Sequence, residues 1–365
     1  MTKIRVCLFG RHSRRTTFSY KVYREVLGRY FDYVTDPCDA HILVTGFIQD
    51  YREACAELIE LKQRRPSLKL VVLSEEPLWD TLWGGKDINK RWTKLRGLEG
   101  RNTADLNIRH INHFNSDIFN FSYLPYFLTT DPVYISRYLQ VFGKVRRNYR
   151  DFLNSVSHLG SGSIHIEGFF EKRIDSKYES TILPGSSLSV FRTRLAEHLA
   201  TSTNCIKNDK PSYTVSVKGR GWEDRESPRQ DLSDWHLSKF SSLLGGRSLV
   251  FSYENTLAQG YITEKLFDSI FSLNVPLYHK DETNSANLAR IFGRKKIGIV
   301  TSRLEPSLAC KEIFSQLESY SDYLDLSIRA MLSLGLRLTG NCMDIIGLEA
   351  RIRGRKIHEE ISSIL

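Results

Sequence analysis

No stretch of the 365 residues approaches the eighteen or more consecutive apolar residues that a membrane-spanning helix requires. The opening run, Met1 to Gly10, is too short and too polar for a secretory signal and reads instead as a strand. The cysteines, at 7, 38, 55, 205, 310 and 342, include no C-x-x-C pair and no zinc-ligand spacing. They are expected as reduced core residues, which fits a cytoplasmic protein. No D-x-D triplet occurs, so the aspartate pair that many sugar transferases use to hold a metal on a diphosphate is missing, and no metal is expected. RNP, zinc-finger and helix-turn-helix signatures are absent, and the basic residues are spread along the whole chain, so nucleic acid is not an expected partner. Internal repeats and low-complexity segments are also lacking.

What is present is an excess of positive charge, 52 Lys and Arg against 42 Asp and Glu, giving +10. That balance favours anionic partners: a nucleoside diphosphate, a phosphorylated glycolipid, or an anionic membrane surface. The length suffices for two domains of ordinary size.

Apolar periodicity divides the chain into alternating elements. Residues 3–10, 41–47 and 68–73 read as strands, with helical spacing over 17–30 and 50–63 between them. This β-α-β-α-β rhythm implies a parallel sheet wrapped by helices, whose ligands sit at the carboxyl ends of the strands. The third of these strands ends in Ser74-Glu75-Glu76-Pro77, where Pro77 stops further pairing. Residues 79–103, with Trp79, Trp83 and Trp92, read as a long surface loop. Its indoles either stack on an acceptor sugar or plug the edge of the core. Residues 107–110 and 123–127 read as short strands, 131–155 as helical in its middle, and 157–163 as a linker.

The second half alternates again. Strands are expected at 164–170, 213–217, 249–253, 275–278 and 297–300, with a helix at 189–200 capped by Ser186, Ser187 or Ser189. Residues 222–234 read as a charged loop. Beyond Pro306 the chain becomes mostly helical. In residues 345–365, isoleucines and leucines interleave with Arg351, Arg353, Arg355 and Lys356. Such a segment either packs as a terminal helix or rests on an anionic membrane. His110, His113, His158 and His165 show no ligand spacing and read as structural or surface groups.

The densest chemistry lies at residues 251–265, Phe-Ser-Tyr-Glu-Asn-Thr-Leu-Ala-Gln-Gly-Tyr-Ile-Thr-Glu-Lys, where a strand hands over to a helix. A helix N-terminus offers unpaired N–H groups and partial positive charge, which suits a phosphate, and Lys265 adds a full charge. Glu254, Asn255 and Glu264 can accept from sugar hydroxyls, and Tyr261 offers a face to a base. Together they read as a nucleotide-sugar site.

The string Y-E-N-T followed by G-Y-I-T-E-K, and then Asn274-Val275-Pro276, resembles the donor-binding motif of the α-1,3/4-fucosyltransferases, the family-10 glycosyltransferases, in their bacterial soluble type. The resemblance is firm over residues 248–278 and thin elsewhere. It implies an α/β fold of the GT-B kind: two Rossmann-like domains with a cleft between them and a helical C-terminal tail. The boundaries would be 1–156 for an acceptor-side domain with the catalytic base, 164–330 for the donor domain and 331–365 for the tail. It implies that Glu75, in its E-x-P context, is the base, with Glu76 as the rival. Residues 123–127, Tyr-Leu-Pro-Tyr-Phe, look like the strand that follows the base segment in the family. It also implies that Arg192 and Lys265 hold the diphosphate, that Asn255 and Glu264 hold the ribose, and that Tyr261 contacts ribose or base. Arg194 is the alternative to Arg192, Glu254 is either a ligand or an internal brace, and Arg220, in the 218–221 turn, approaches the donor.

The expected function is an inverting fucosyltransferase that moves L-fucose from GDP-fucose, without a cofactor or metal, to an oligosaccharide or glycolipid acceptor such as lipopolysaccharide core or O-antigen. It would work in the cytoplasm or peripherally on the inner membrane face. The alternatives are the same fold with another nucleotide-sugar donor, and a non-catalytic nucleotide-sugar-binding protein.

Overall fold

The computed structural model describes residues 2–77, 91–96, 105–148, 163–175, 178–179, 186–202, 212–222, 234–280, 282–293 and 297–365, without the side chains of 96, 283 and 341–344. The chain forms two α/β units. In the first, strands β1 (Ile4–Leu8), β2 (Phe31–Tyr33), β3 (Ile42–Thr45), β4 (Lys69–Leu73), β5 (Trp92–Arg96) and β6 (Asp105–Ile111) form a sheet of order β2-β1-β3-β4-β6-β5. All pairs are parallel except β5 with β6. In the second, β7 (Ile164–Phe169), β8 (Tyr213–Lys218), β9 (Leu249–Phe251), β10 (Val275–His279) and β11 (Ile299–Thr301) form an all-parallel sheet of order β11-β10-β9-β7-β8. Apart from the antiparallel edge strand β5, both sheets have the same doubly wound order, 2-1-3-4-5. Such a sheet binds ligands where the strand order reverses, here between β1 and β3 and between β7 and β9. This is the GT-B arrangement expected from the sequence.

The helices follow from spacing and caps. Helix α1 (Lys21–Leu27) covers the first sheet through Tyr23 and Leu27. The single helix expected over 50–63 is two, α2 (Ile48–Glu53) and α3 (Cys55–Arg64), broken at Ala54. Helix α4 (Tyr126–Thr130) occupies the segment expected as a strand. The backbone N–H groups of Ser122, Tyr123 and Leu124, which a sheet partner would need, are all taken by Oε1 of Glu349. The N–H-less Pro125 then stands at the N-cap. Helix α5 (Pro132–Arg147) starts on an Asp131 cap with Pro132 at its first turn. Its buried Ile135, Tyr138, Phe142 and Val145 pack into the core of the second unit.

In the second unit, α6 (Leu188–Ser202), α7 (Trp235–Leu243), α8 (Glu264–Phe271), α9 (Glu282–Phe292) and α10 (Pro306–Leu317) cover the sheet. Arg247 and Leu273 adopt positive φ in the turns that lead into β9 and β10. Helix α11 (Tyr320–Ser362) has 43 residues, about 65 Å at the usual rise. Its first half, from Tyr323 to Ile346, packs on the second unit, whereas Ala350, Ile357 and Ile361 complete the core of the first. The expected terminal tail is therefore the end of a strap across both units, and its packed face is buried, with Arg351 and Arg355 exposed. No helix among the described residues is long and apolar enough to cross a membrane.

The loop expected over 79–103 contains a strand. Trp92–Arg96 pairs with β6 at the sheet edge, and Trp92 is exposed with the Arg109 guanidinium 6.0 Å from its ring. Trp79, Trp83, the linker up to residue 162 and most of the 222–234 loop lie outside the described residues, as do Cys205 and the side chain of Cys342. Cys7, Cys38, Cys55 and Cys310 are free thiols.

Candidate active site

The carboxyl ends of the two sheets meet. From the first unit come the loop after β4, with Glu75 and Glu76, and the loop after β6, with His113. From the second comes the segment between β9 and α8, residues 252–263. Every candidate residue near this seam is reached from these three loops, helix α6, or the start of α8.

Glu75 is only 5% exposed. Its Oε2 accepts from the Tyr20 phenol at 2.7 Å, and its Oε1 accepts from the Tyr126 phenol. Tyr126 is in turn held by Thr17 at 3.1 Å. Burial pushes the Glu75 carboxyl up to about 7, against the opposing pull of the two phenols and Arg15 and with the help of neighbouring Glu76. A carboxylate poised there suits proton abstraction near neutral pH. Glu76 is placed differently. Its Oε2 accepts from the Tyr261 phenol at 2.8 Å, across the seam.

On the donor side, two loops are laced together before any ligand is considered. Leu188 N donates to Asn255 O at 2.9 Å, Leu257 N donates to Ser186 O at 2.7 Å, and Ser187 bridges Thr256. Helix α6 therefore begins against the Glu254-Asn255-Thr256 turn. Four residues into that helix, Arg192 is buried over the Phe170 ring, 4.8 Å from its centroid. Phe170 follows β7 and Glu254 follows β9, so Arg192 sits at the switch point of the second sheet. Its Nε is buried without a hydrogen-bond partner among the described residues. Burial, with Arg173 beside it, lowers the guanidinium to about 10. A buried cation with an unmet donor is costly unless a ligand supplies an anion.

Arg173 shares this corner. It donates to Ser189 Oγ at 3.2 Å and to Glu171 at 3.1 Å, and its backbone N–H donates to Thr193 Oγ1 at 3.1 Å. The alternative cation, Arg194, points away, more than half exposed and paired with Glu179 at 3.2 Å. Arg220 is also largely exposed, 3.8 Å from Glu171 on the same side as Arg173.

Glu254 makes its contacts within its own unit. It accepts from the backbone N–H of Thr263 at 2.7 Å, from Thr263 Oγ1 at 2.8 Å and from Lys265 Nζ at 3.1 Å. It thus caps the entry to α8 with a carboxylate where the helix dipole favours one. Burial raises its own carboxyl, although Lys265 opposes that. Lys265 also touches Thr263 Oγ1 at 2.7 Å and lies 3.8 Å from Glu264. Burial would lower this ammonium, but Glu254 and Glu264 outweigh it and hold it above its ordinary value. It stays charged, and the nearby Arg192 and Glu76 charges act on it in opposite directions.

Asn255 is half-buried, with its backbone carbonyl spent on Leu188. Tyr261 is 2% exposed, and its ring meets His113 and Phe127 edge-on at 5.2 and 5.4 Å. Burial first, then Glu76, hold its phenol well above the ordinary value, so it remains a donor. Behind this turn a small recess, with room for about one water, is lined by Glu254, Thr256, Tyr261, Tyr278, His279 and Asn284, among others. Thr256 Oγ1 is buried there without a hydrogen-bond partner among the described residues.

Of the expected residues, Glu75, Glu76, Arg192, Glu254, Asn255, Tyr261, Glu264 and Lys265 are brought to one seam, and Arg194 is not. Sequence reasoning missed Tyr20, Tyr126, Arg173 and His113. Tyr126 lies in the stretch singled out at 123–127, so the place was marked even though the element was misread.

No protein-family model matches the chain, and no curated protein matches it in sequence. Among solved structures, the chain is similar in backbone course to a crystal structure of an α1,3-fucosyltransferase at 12% identity, covering 91% of this chain and 82% of that one, with a TM-score of 0.44. A structure of α1,3-fucosyltransferase with GDP-fucose aligns at 12% identity over 91% and 81% of the chains with a TM-score of 0.38. One with GDP aligns at 13% over 89% and 81% with 0.40.

Proposed function

We propose that this chain is an inverting fucosyltransferase that carries L-fucose from GDP-fucose to a hydroxyl of a glycan acceptor. The observation that carries the reading is the opposition of charges across the seam. A buried carboxylate poised near neutrality stands on one unit, and a buried arginine whose Nε has no hydrogen-bond partner among the described residues stands with a charged lysine on the other. Glu75 takes the proton of the acceptor hydroxyl as that oxygen bonds to the anomeric carbon. The bond from that carbon to the diphosphate breaks, and the diphosphate leaves with the electron pair. Arg192, Lys265 and Arg173 receive the growing negative charge, for which a guanidinium fork is well suited. Asn255 and Glu264 orient the nucleoside. GDP and fucose, rather than another nucleotide sugar, come from the resemblance of residues 251–265 to the fucosyltransferase motif. A glycolipid or oligosaccharide of a bacterial surface, reached from the cytoplasmic side with Arg351 and Arg355 near anionic lipid, completes the reading.

The test pairs binding with turnover. Calorimetry without added metal should show GDP and GDP-fucose binding, with UDP weaker. Glu75→Gln should keep that affinity while turnover of GDP-fucose drops about a hundredfold or more. Preference for UDP would overturn the donor, and unchanged turnover would remove Glu75 as the base. A binding-only protein would show affinity and no sugar release in either form.

A further inference from the structure

We propose that His113 is a positioning residue that sets the loop bearing Glu75 against the loop bearing the donor motif. The inference rests on the proposed transfer reaction. His113 follows β6, and its ring stacks on Phe119 with centroids 4.0 Å apart and planes 17° apart. Its Nε2 lies 3.1 Å from the carbonyl oxygen of Glu75 in the first unit. Its Nδ1 lies 3.2 Å from the carbonyl oxygen of Gln259 in the second. One rigid ring therefore spans the seam beside the candidate base, stacked on Phe119 and perpendicular to the Tyr261 ring.

Both partners are acceptors, and a neutral imidazole has a single N–H. The ring can bond the base loop or the donor loop in a given tautomer, and both only when protonated. Burial lowers its pKa to about 4, so the neutral ring prevails near pH 7. The ring is a spacer as much as a donor. Its width fixes how far apart the two main chains lie, and so how far the transferred sugar must travel. Transfer is sensitive to such spacing, because misplacement by about an ångström costs about a hundredfold in rate.

Three variants separate this from a merely structural role. His113→Phe keeps the stack on Phe119 and removes both nitrogens. His113→Gln retains a donor near the Nε2 position, and His113→Asn one near Nδ1. In His113→Phe, kcat should fall by about ten- to a hundredfold, while the affinity for GDP and the donor KM stay within about threefold. His113→Gln should recover part of kcat, because it restores the bond to the Glu75 loop. Amide hydrogen exchange should quicken together in residues 74–77 and 258–262 of His113→Phe, without GDP present. A kcat within about twofold of the parent, or a parallel loss of kcat and GDP affinity that tracks a lowered Tm, would overturn the proposal. If the parent protein transfers no fucose, the proposed reaction falls. The exchange measurement still decides whether His113 couples the two loops, and exchange changed only around residue 113 would refute that.

Discussion

The Tyr261 phenol of the donor motif donates at 2.8 Å to Glu76, the residue next to the candidate base, so the second unit is fastened to the first where chemistry is expected. The bond uses the polar end of the ring expected to meet the nucleoside. Tyr261→Phe should therefore leave GDP affinity within about threefold while loosening the seam. A double-mutant cycle of Tyr261→Phe with Glu76→Gln should return a coupling of about 1 kcal/mol in thermal or urea unfolding. Additive effects of the two changes would mean that the contact carries no energy.

The two phenols on Glu75 tune its proton affinity. Burial raises the carboxyl to about 7, and Tyr126 and Tyr20 hold it from rising further by donating to the ionised form. A carboxylate acts as a base only when ionised, so if Glu75 serves as proposed, the acid limb of the pH–rate profile should lie near pH 7. Removing a donor favours the protonated form. Tyr126→Phe and Tyr20→Phe should each move that limb to higher pH and lower the rate at pH 7, with less change at pH 9. A limb that stays in place, or moves to lower pH, would separate the phenols from the base.

Arg192 exposes a conflict between stability and binding. A guanidinium is kept buried with its Nε lacking a hydrogen-bond partner among the described residues, and such a buried, incompletely satisfied charge is costly to keep. Arg192→Met should therefore melt at the same or a higher temperature without ligand. The same variant should lose most of the stabilisation that saturating GDP gives the parent, since a charge-assisted anion contact is removed. Differential scanning fluorimetry with and without GDP reads both effects. A clear fall in ligand-free Tm with the GDP shift intact would make Arg192 an ordinary structural arginine. Arg194→Met, which removes an exposed ion pair, serves as the control.

What the sequence makes legible is local. The strand-to-helix handover at 251–265 carries its chemistry in adjacent residues, and the Glu75 loop announces itself by following a buried strand. What it hides is set by partners far along the chain. Residues 123–127, Tyr-Leu-Pro-Tyr-Phe, read as extended from their aromatic and proline content. Their backbone instead finds Glu349, 227 residues from Ser122. Glu254 shows no sign in the sequence that Thr263 and Lys265 converge on it. His113 carries no ligand spacing, because both of its partners are carbonyl oxygens, which every residue possesses. Trp92 falls on a strand because β6 offers a free edge, a fact no window of neighbouring residues contains.

The long terminal helix also bears on the order of synthesis. Glu349 pins the loop that leads to Tyr126, Arg353 bonds Ile118 O at 2.9 Å and the Tyr23 phenol, and Ile357 and Ile361 fill the first core. A ribosome delivers these residues only after it has made the whole of the second unit. The first unit thus leaves the exit tunnel lacking one layer of its own interior, and must wait for most of the chain to emerge before Tyr126 can settle on Glu75. Nascent chains halted before residue 349 should hold a loosened N-terminal half, so the contacts around Tyr126 are expected to form late.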